Sequence, residues 1–415
     1  MTIGEAGPVF ELTTDLLVYG GEALGRLPDG KAVFVPFALP GERVRIRLIE
    51  EKRSHARAEL LEVLEPAPER IQPRCVHFGV CGGCQYQHMP YEMQVRAKTE
   101  ILHDQLVRIG RLDNPPVRAA VPSPEPYYYR NTVQFHLTLE GQLGYYLAQA
   151  NRVFAIQECH LPEGPINLVW PQLEFDSIPG LERVGLRMGV EEDVQLILES
   201  SDPQPPEFSV EEMAISAVHL SPTGMLVLAG SDHITLEVLG RPFRVSGGSF
   251  FQVNTAMAEK MVAHLLDHLE IPPSATVMDV FCGVGLFSAF LAPKAARLIG
   301  IESSPSASED FVANLDEFDH VELYEGLAEE ILPVLDLEPD VIVVDPPRAG
   351  LERETLDAIL KLHPGQLAYI SCDPATLARD GRRLSSGGYR LQKVTPFDLF
   401  PQTAHIESIS FWTPS

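Results

Sequence analysis

From residue 276 onward the sequence keeps returning to one pattern: an apolar run, an abrupt small or charged residue, then a helical stretch. Thr276-Val277-Met278-Asp279-Val280-Phe281 leads into Cys282-Gly283-Val284-Gly285, and Leu298-Ile299-Gly300-Ile301 stops at Glu302. Asp340-Val341-Ile342-Val343-Val344 stops at Asp345-Pro346-Pro347-Arg348, and Leu367-Ala368-Tyr369-Ile370 stops at Ser371-Cys372-Asp373-Pro374. Short runs of near-continuous hydrophobicity, separated by helices, predict parallel strands covered on both faces. The fold class is therefore α/β, a Rossmann-type sheet, finished by an antiparallel hairpin that pairs residues 392–395 with 406–412. In such a sheet, ligands and chemistry collect at the carboxyl ends of the strands. Just ahead of it, Ser249-Phe250-Phe251-Gln252-Val253-Asn254-Thr255 opens a helix expected to reach about residue 269.

The chain has 415 residues, enough for two or three separate cores. Residues 12–65 read as short strands with turns at Gly20-Gly21 and Pro40-Gly41, a small barrel of the oligonucleotide-binding type. Within it Val44, Ile46 and Leu48 alternate with Arg43, Arg45 and Arg47, giving one apolar and one arginine face. That second face predicts either an RNA contact or simply a solvated edge. The net charge of -26 speaks against a basic nucleic-acid binder as a whole. Residues 1–66, however, carry 8 basic against 11 acidic side chains, and residues 67–130 carry 8 against 6, so any RNA grip is local.

Cys75, Cys81 and Cys84 follow a five-then-two spacing around Gly82-Gly83, and Cys159 lies far downstream. Clustering of this kind in a cytosolic chain points to metal rather than disulfides. One remote ligand suits a [4Fe–4S] cluster better than zinc, which favours regular two-cysteine knuckles; unliganded thiols are the plain alternative. Residues 90–112 predict an amphipathic helix bearing Arg96, Lys98, Arg108 and Arg111, able to pack on the C-terminal domain. Tyr127-Tyr128-Tyr129-Arg130 could stack on unpaired bases or serve packing. Residues 141–244 alternate short strands with glycines and prolines and predict a mainly antiparallel central domain. The first residues are acidic and no run has the roughly 18 apolar residues of a membrane span, so a cytoplasmic, membrane-free enzyme is expected.

The strand ends carry the chemistry. Gly283 and Gly285 allow a tight turn beside a ligand, and Glu302 can accept from two ribose hydroxyls, which fits a dinucleotide or S-adenosylmethionine. Asp345-Pro346-Pro347-Arg348 fixes a stiff loop toward the substrate, a layout also suited to methylating exocyclic amines. Cys372 is either a small buried hydrophobe or a nucleophile delivered at a strand end. Glu407, in His405-Ile406-Glu407-Ser408, favours the second. Amine methylation needs no covalent nucleophile, whereas carbon 5 of uracil must be activated by addition of a thiolate to carbon 6. A base must then remove the carbon 5 proton.

In order along the chain, the barrel segments, the four cysteines, Ser-Phe-Phe-Gln-Val-Asn, Asp-x-Phe-Cys-Gly-x-Gly, Asp-Pro-Pro-Arg, Ser-Cys-Asp-Pro and His-Ile-Glu resemble the RNA (uracil-5-)methyltransferases of the class that modifies 23S ribosomal RNA. The resemblance spans nearly the whole chain. It implies a TRAM barrel over residues 1–66, an iron–sulfur central domain over 67–245 and an S-adenosylmethionine-dependent methyltransferase domain over 246–415. It further implies Cys372 as nucleophile, Glu407 as base, and Gln252, Phe281, Gly283, Gly285, Glu302 and Asp345 around S-adenosylmethionine. Phe250 and Asp345 would meet the target base, and Cys75, Cys81, Cys84 and Cys159 would hold a [4Fe–4S] cluster. Leu286 stands where the family often has a polar residue, and Asp373 replaces a commoner Asn. RNA is the implied partner of a monomer, with 23S ribosomal RNA favoured. A transfer RNA substrate and a non-catalytic RNA-binding protein are the alternatives.

Overall fold

The computed structural model describes residues 7–148, 150–175, 178, 180–206 and 215–415. Strands β1 (Val9–Leu17), β2 (Glu22–Arg26), β3 (Ala32–Pro36), β4 (Arg43–Glu51) and β5 (His55–Glu65) close a barrel in the order β1-β2-β3-β5-β4. The period-2 pattern works as expected inside: Val44, Ile46 and Leu48 meet Val33, Val35 and Ala56 in its core. Outside, the alternation also holds, and each arginine finds a carboxylate partner. Arg43, Arg45 and Arg47 stand opposite Glu65, Glu62 and Glu59 across the β4–β5 ladder, and Glu11 of β1 adds a fourth carboxylate. Arg43 pairs with Glu11 at 2.9 Å and Glu65 at 3.0 Å, and Arg47 with Glu59 at 3.1 Å. The arginine face, read as an RNA contact or a solvated edge, is a cross-strand ion-pair ladder whose charges are already paired.

Helix α1 (Tyr91–Arg108) follows, then β6 (Thr132–Leu137), β7 (Leu143–Leu147), β8 (Ala150–Ala155), α2 (Gly164–Val169), β9 (Leu181–Met188), β10 (Val194–Ser200), β11 (Ile215–Ser221) and β12 (Gly224–Ala229). These strands form one sheet, β12-β11-β10-β9-β6-β7-β8, in which only β10 and β11 run parallel. Phe135, Trp170 and Leu196 fill its core. Helix α1 does not belong to that core. Its Leu102 and Leu106 pack with Val394 and Trp412 of the C-terminal sheet. Its Lys98 is buried, donating to Asp398 at 2.6 Å and to the Phe400 carbonyl at 3.0 Å.

The hairpin β13 (His233–Val238) and β14 (Arg241–Ser246) leads to α3 (Thr255–His268). Asn254 caps that helix by accepting from the Met257 N–H at 3.2 Å, so residues 249–253 form a loop rather than its first turn. Then come β15 (Thr276–Val280), α4 (Ser288–Leu291), β16 (Arg297–Glu302), α5 (Pro305–Asn314), β17 (Val321–Glu325), α6 (Ala328–Ile331), β18 (Val341–Val344), α7 (Arg353–Leu362), β19 (Gln366–Ser371), α8 (Pro374–Ser386), β20 (Tyr389–Phe397) and β21 (Glu407–Pro414). The sheet order is β17-β16-β15-β18-β19-β21-β20, parallel through β19 and antiparallel beyond it. The continuous apolar runs divide between its faces: Val277, Val341 and Val343 enter one core, and Met278, Ile342 and Val344 the other. Ile234, Leu236, Phe243 and Val245 of the β13–β14 hairpin join the first core. The core of the C-terminal sheet thus also takes in the hairpin that precedes residue 246. Among the described residues no helix is long and apolar enough to cross a membrane.

Candidate active site

Strand register assembles the site. Ser371 of β19 pairs with Ser408 of β21 at the end of the antiparallel ladder, which brings Cys372, the next residue, within the influence of Glu407. On the other side of β21, Glu407 pairs with Phe397. Val344 of β18 pairs with Val280 of β15, which sets Asp345 beside Phe281, and the Asp345 N–H donates to the Val280 carbonyl at 3.2 Å. Asp373 fixes the thiol from the helix side: its Oδ1 accepts from the Ala375 and Thr376 N–H groups, both at 2.9 Å, capping α8. The nucleophile candidate thus sits between a finished strand and a capped helix.

The electrostatics are those of a crowded acidic pocket. Burial, with Glu407 and Asp345 next, pushes the Cys372 thiol up to about 12, and Arg348 alone works against the rise. Loss of water and then the Asp345 carboxylate hold Glu407 well above the usual carboxylate range, again with Arg348 opposing. Asp345 is raised in the same direction by desolvation and then by Asp279. Three acidic groups facing one guanidinium favour a ligand that brings positive charge.

At the neighbouring strand ends the Glu302 carboxylate organises its own loop. Its Oε2 accepts from the Gly283 N–H at 2.9 Å, and its Oε1 accepts from the Ser303 and Ser304 N–H groups at 2.8 and 2.7 Å. Two carboxylate oxygens offer about four lone-pair directions, so room for a further donor remains. Phe281 has φ 65, a left-handed backbone unusual for a bulky residue and held by N–H donation to the Ile301 carbonyl at 2.9 Å. The two glycines differ. A Cβ on Gly283 would meet nothing within 4 Å, whereas one on Gly285 would come within 2.4 Å of Leu315 and 3.0 Å of Phe311. Packing against Leu315 and Phe311 by itself requires a glycine at position 285. Leu286 is buried in the core. Asp279 is buried with Ser288 donating to its Oδ2 at 2.6 Å, and burial pushes its carboxyl up to about 7. Gln252 is buried, with its carbonyl accepting from Asn131 at 3.0 Å, while Phe250 is 68% exposed.

Residues 229–413 match the model of a family described as tRNA (Uracil-5-)-methyltransferase, and residues 10–61 match the TRAM domain. An uncharacterized RNA methyltransferase of Thermosynechococcus vestitus is 35% identical over 100% of both chains. The chain belongs to the RNA (uracil-5-)methyltransferase family. A second uncharacterized RNA methyltransferase, from Aquifex aeolicus, is 35% identical over 96% of this chain and 97% of its own. The methyltransferase shares its fold with the tRNA (uracil-54, C5)-methyltransferase of Pyrococcus abyssi, solved in complex with S-adenosyl-L-homocysteine. That likeness has a TM-score of 0.71 at 21% identity, covering 97% of this chain and 100% of the other.

Away from the sheet edge, the methyltransferase brings Cys75, Cys81, Cys84 and Cys159 to the wall of one cavity of about 70 Å³. The Gly83 N–H donates to Cys81 Sγ at 3.3 Å and the His77 N–H to Cys75 Sγ at 3.4 Å. Burial pushes Cys84 up to about 12 and Cys159 up to about 11. Among the described residues, no group of three or more His, Cys, Asp or Glu is drawn close enough to hold a metal ion. The cysteine spacing thus yields one shared, sulfur-lined cavity.

Two residues at the catalytic edge went unmarked in the sequence. Arg348 is a guanidinium that acts on both Cys372 and Glu407. Tyr19, from the barrel, donates its hydroxyl to Asp373 Oδ2. Arg348 could have been found from its motif. Tyr19 lies 354 positions from its partner, and no local pattern points to it.

Proposed function

We propose that this enzyme methylates carbon 5 of a uridine in 23S ribosomal RNA, with S-adenosylmethionine as methyl donor, acting as a cytoplasmic monomer. The observation that carries the reading is that the β19–β21 ladder, ending at Ser371 and Ser408, brings Glu407 close enough to act on the Cys372 thiol. Carbon 5 of uracil is a poor nucleophile. The Cys372 thiolate adds to carbon 6, and the electron pair moves to the carbonyl as an enolate. S-adenosylmethionine supplies an electrophilic methyl, which carbon 5 takes as the sulfur–methyl bond breaks and its electron pair stays on the sulfur of S-adenosylhomocysteine. The Glu407 carboxylate then removes the proton left on carbon 5, and the carbon 6–sulfur bond breaks to return the thiolate. Gln252, Phe281, Gly283, Gly285, Glu302 and Asp345 would hold the donor. The exposed Phe250 ring stacks on the flipped uracil, aided by Asp345.

Cys75, Cys81, Cys84 and Cys159 suit a [4Fe–4S] cluster: four thiols share one cavity, and a backbone N–H already meets a sulfur there. When bound, such a cluster cross-links residues 75–84 to residue 159 and supplies no electron to the methyl transfer. Anaerobic purification should give iron; zinc without iron would overturn this assignment.

The TRAM domain beside four cysteines favours ribosomal RNA, whereas the matched family and the Pyrococcus abyssi enzyme carry transfer RNA in their names. Nucleoside mass spectrometry of both RNA pools, from cells lacking the protein, separates these readings. Loss of 5-methyluridine from 23S ribosomal RNA is expected. Loss from transfer RNA alone would move the substrate, and loss from neither would reject the activity.

A further inference from the structure

We propose that Tyr19, a residue of the RNA-binding barrel, positions the catalytic cysteine by donating its phenolic hydrogen to the carboxylate of Asp373. The inference rests on the covalent mechanism above and adds a residue to it.

Tyr19 lies in the turn between β1 and β2, and its hydroxyl donates to Asp373 Oδ2. The other oxygen of the same carboxylate caps α8 through Ala375 and Thr376. Asp373 directly follows Cys372, so one side chain links the barrel, the thiol and the helix that fixes the thiol.

The turn cannot easily drift. The Val18 N–H donates to the Glu22 carbonyl at 2.9 Å, and the Gly21 N–H to the Val18 carbonyl at 3.1 Å. Gly21 has φ +88, and a Cβ there would come within 2.9 Å of the side chains of Ala404 and Gln85. Gln85 in turn accepts from the Ala404 N–H at 3.1 Å, on the segment that leads to Glu407. The barrel turn therefore touches the segments carrying both catalytic candidates.

The groups acting on the thiol come from every side: Glu407 from β21, Asp345 and Arg348 from the loop after β18, Asp373 from its own turn. Tyr19 faces it from the barrel, and Asp373, Arg348 and Lys98 act on the neighbouring His405. Three carboxylates oppose ionisation of Cys372, and Arg348 favours it. Desolvation and Asp373 hold the Tyr19 phenol above its ordinary range, so it stays a donor throughout the working pH range. Its hydrogen bond draws charge away from Asp373 and eases formation of the thiolate.

The test uses the full-length enzyme and compares Tyr19→Phe, Asp373→Asn and the double variant in single-turnover methylation of RNA across pH. Tyr19→Phe should lower the neutral-pH rate about tenfold, the scale of one lost hydrogen bond to a charged group, and move the rising limb to higher pH. Asn at 373 keeps a capping oxygen but removes the charge, so the double variant should regain the lower-pH limb. Unchanged S-adenosylmethionine affinity by calorimetry checks the fold. An unshifted pH profile in Tyr19→Phe would overturn the proposal, whether or not the KM for RNA rises. So would a double variant as shifted as the single one. Cys372→Ala, run alongside, reads the underlying mechanism separately: activity retained there sinks the mechanism, and an inactive Cys372→Ala leaves Tyr19 to be judged alone.

Discussion

In the proposed mechanism Cys372 and Glu407 act in their ionised forms, and their surroundings shift both toward the protonated state. The sign of the pH dependence follows. The thiol is pushed up to about 12, so its thiolate fraction grows about tenfold per pH unit from neutral upward. Glu407 is also displaced upward, so lowering the pH removes the base together with the nucleophile. The methylation rate at saturating substrates should therefore rise from pH 6 to 9, and a flat or falling profile would contradict this reading of the site. Both residues were legible in the sequence because each lies in a short, distinctive motif at a strand end. Their alignment was not, since it depends on the β19–β21 register.

Among the elements, the turn after β15 separates packing from binding. Gly285→Ala forces a Cβ against Leu315 and Phe311 at φ +89, and should cost about 1–3 kcal/mol of stability, as overpacking a core does. Gly283→Ala meets open space, so its cost is confined to the left-handed backbone at φ +55, about 1 kcal/mol, and it should weaken S-adenosylmethionine binding as well. Calorimetry with denaturant melts of both variants checks the split, and a reversed pattern would exchange the two roles. The parallel strands were readable because burial on both faces leaves an unbroken apolar run. The barrel core was readable from its alternation. The ion-pair ladder was not, because Glu11, Glu59, Glu62 and Glu65 become partners of the arginines only through strand pairing. The start of α3 was misplaced because the apolar Phe251 suits a helix as well as the buried loop it occupies.

For the whole molecule, the acidic total and the neutralised barrel face both argue against a broad electrostatic grip on RNA. Arg45→Gln should leave the salt dependence of RNA binding unchanged, because that guanidinium already pairs with Glu11 and Glu62; a shallower slope would show a phosphate contact. Long-range polar contacts hold the parts together instead. Lys98 of α1 reaches Asp398 in full burial, so Lys98→Met should destabilise the protein by about 3–5 kcal/mol by leaving a buried carboxylate unpaired. Adding Asp398→Leu should recover much of that loss in denaturant melts. The central claim is that Cys372 forms the covalent bond and Glu407 releases it. Its most direct measurement is a denaturing gel of Glu407→Gln after incubation with S-adenosylmethionine and substrate RNA. The expected result is protein cross-linked to RNA whose uracil carries the new methyl, absent in Cys372→Ala. An inactive Glu407→Gln variant with no cross-link would contradict the assignment of the base, and a cross-link persisting in Cys372→Ala would contradict the nucleophile.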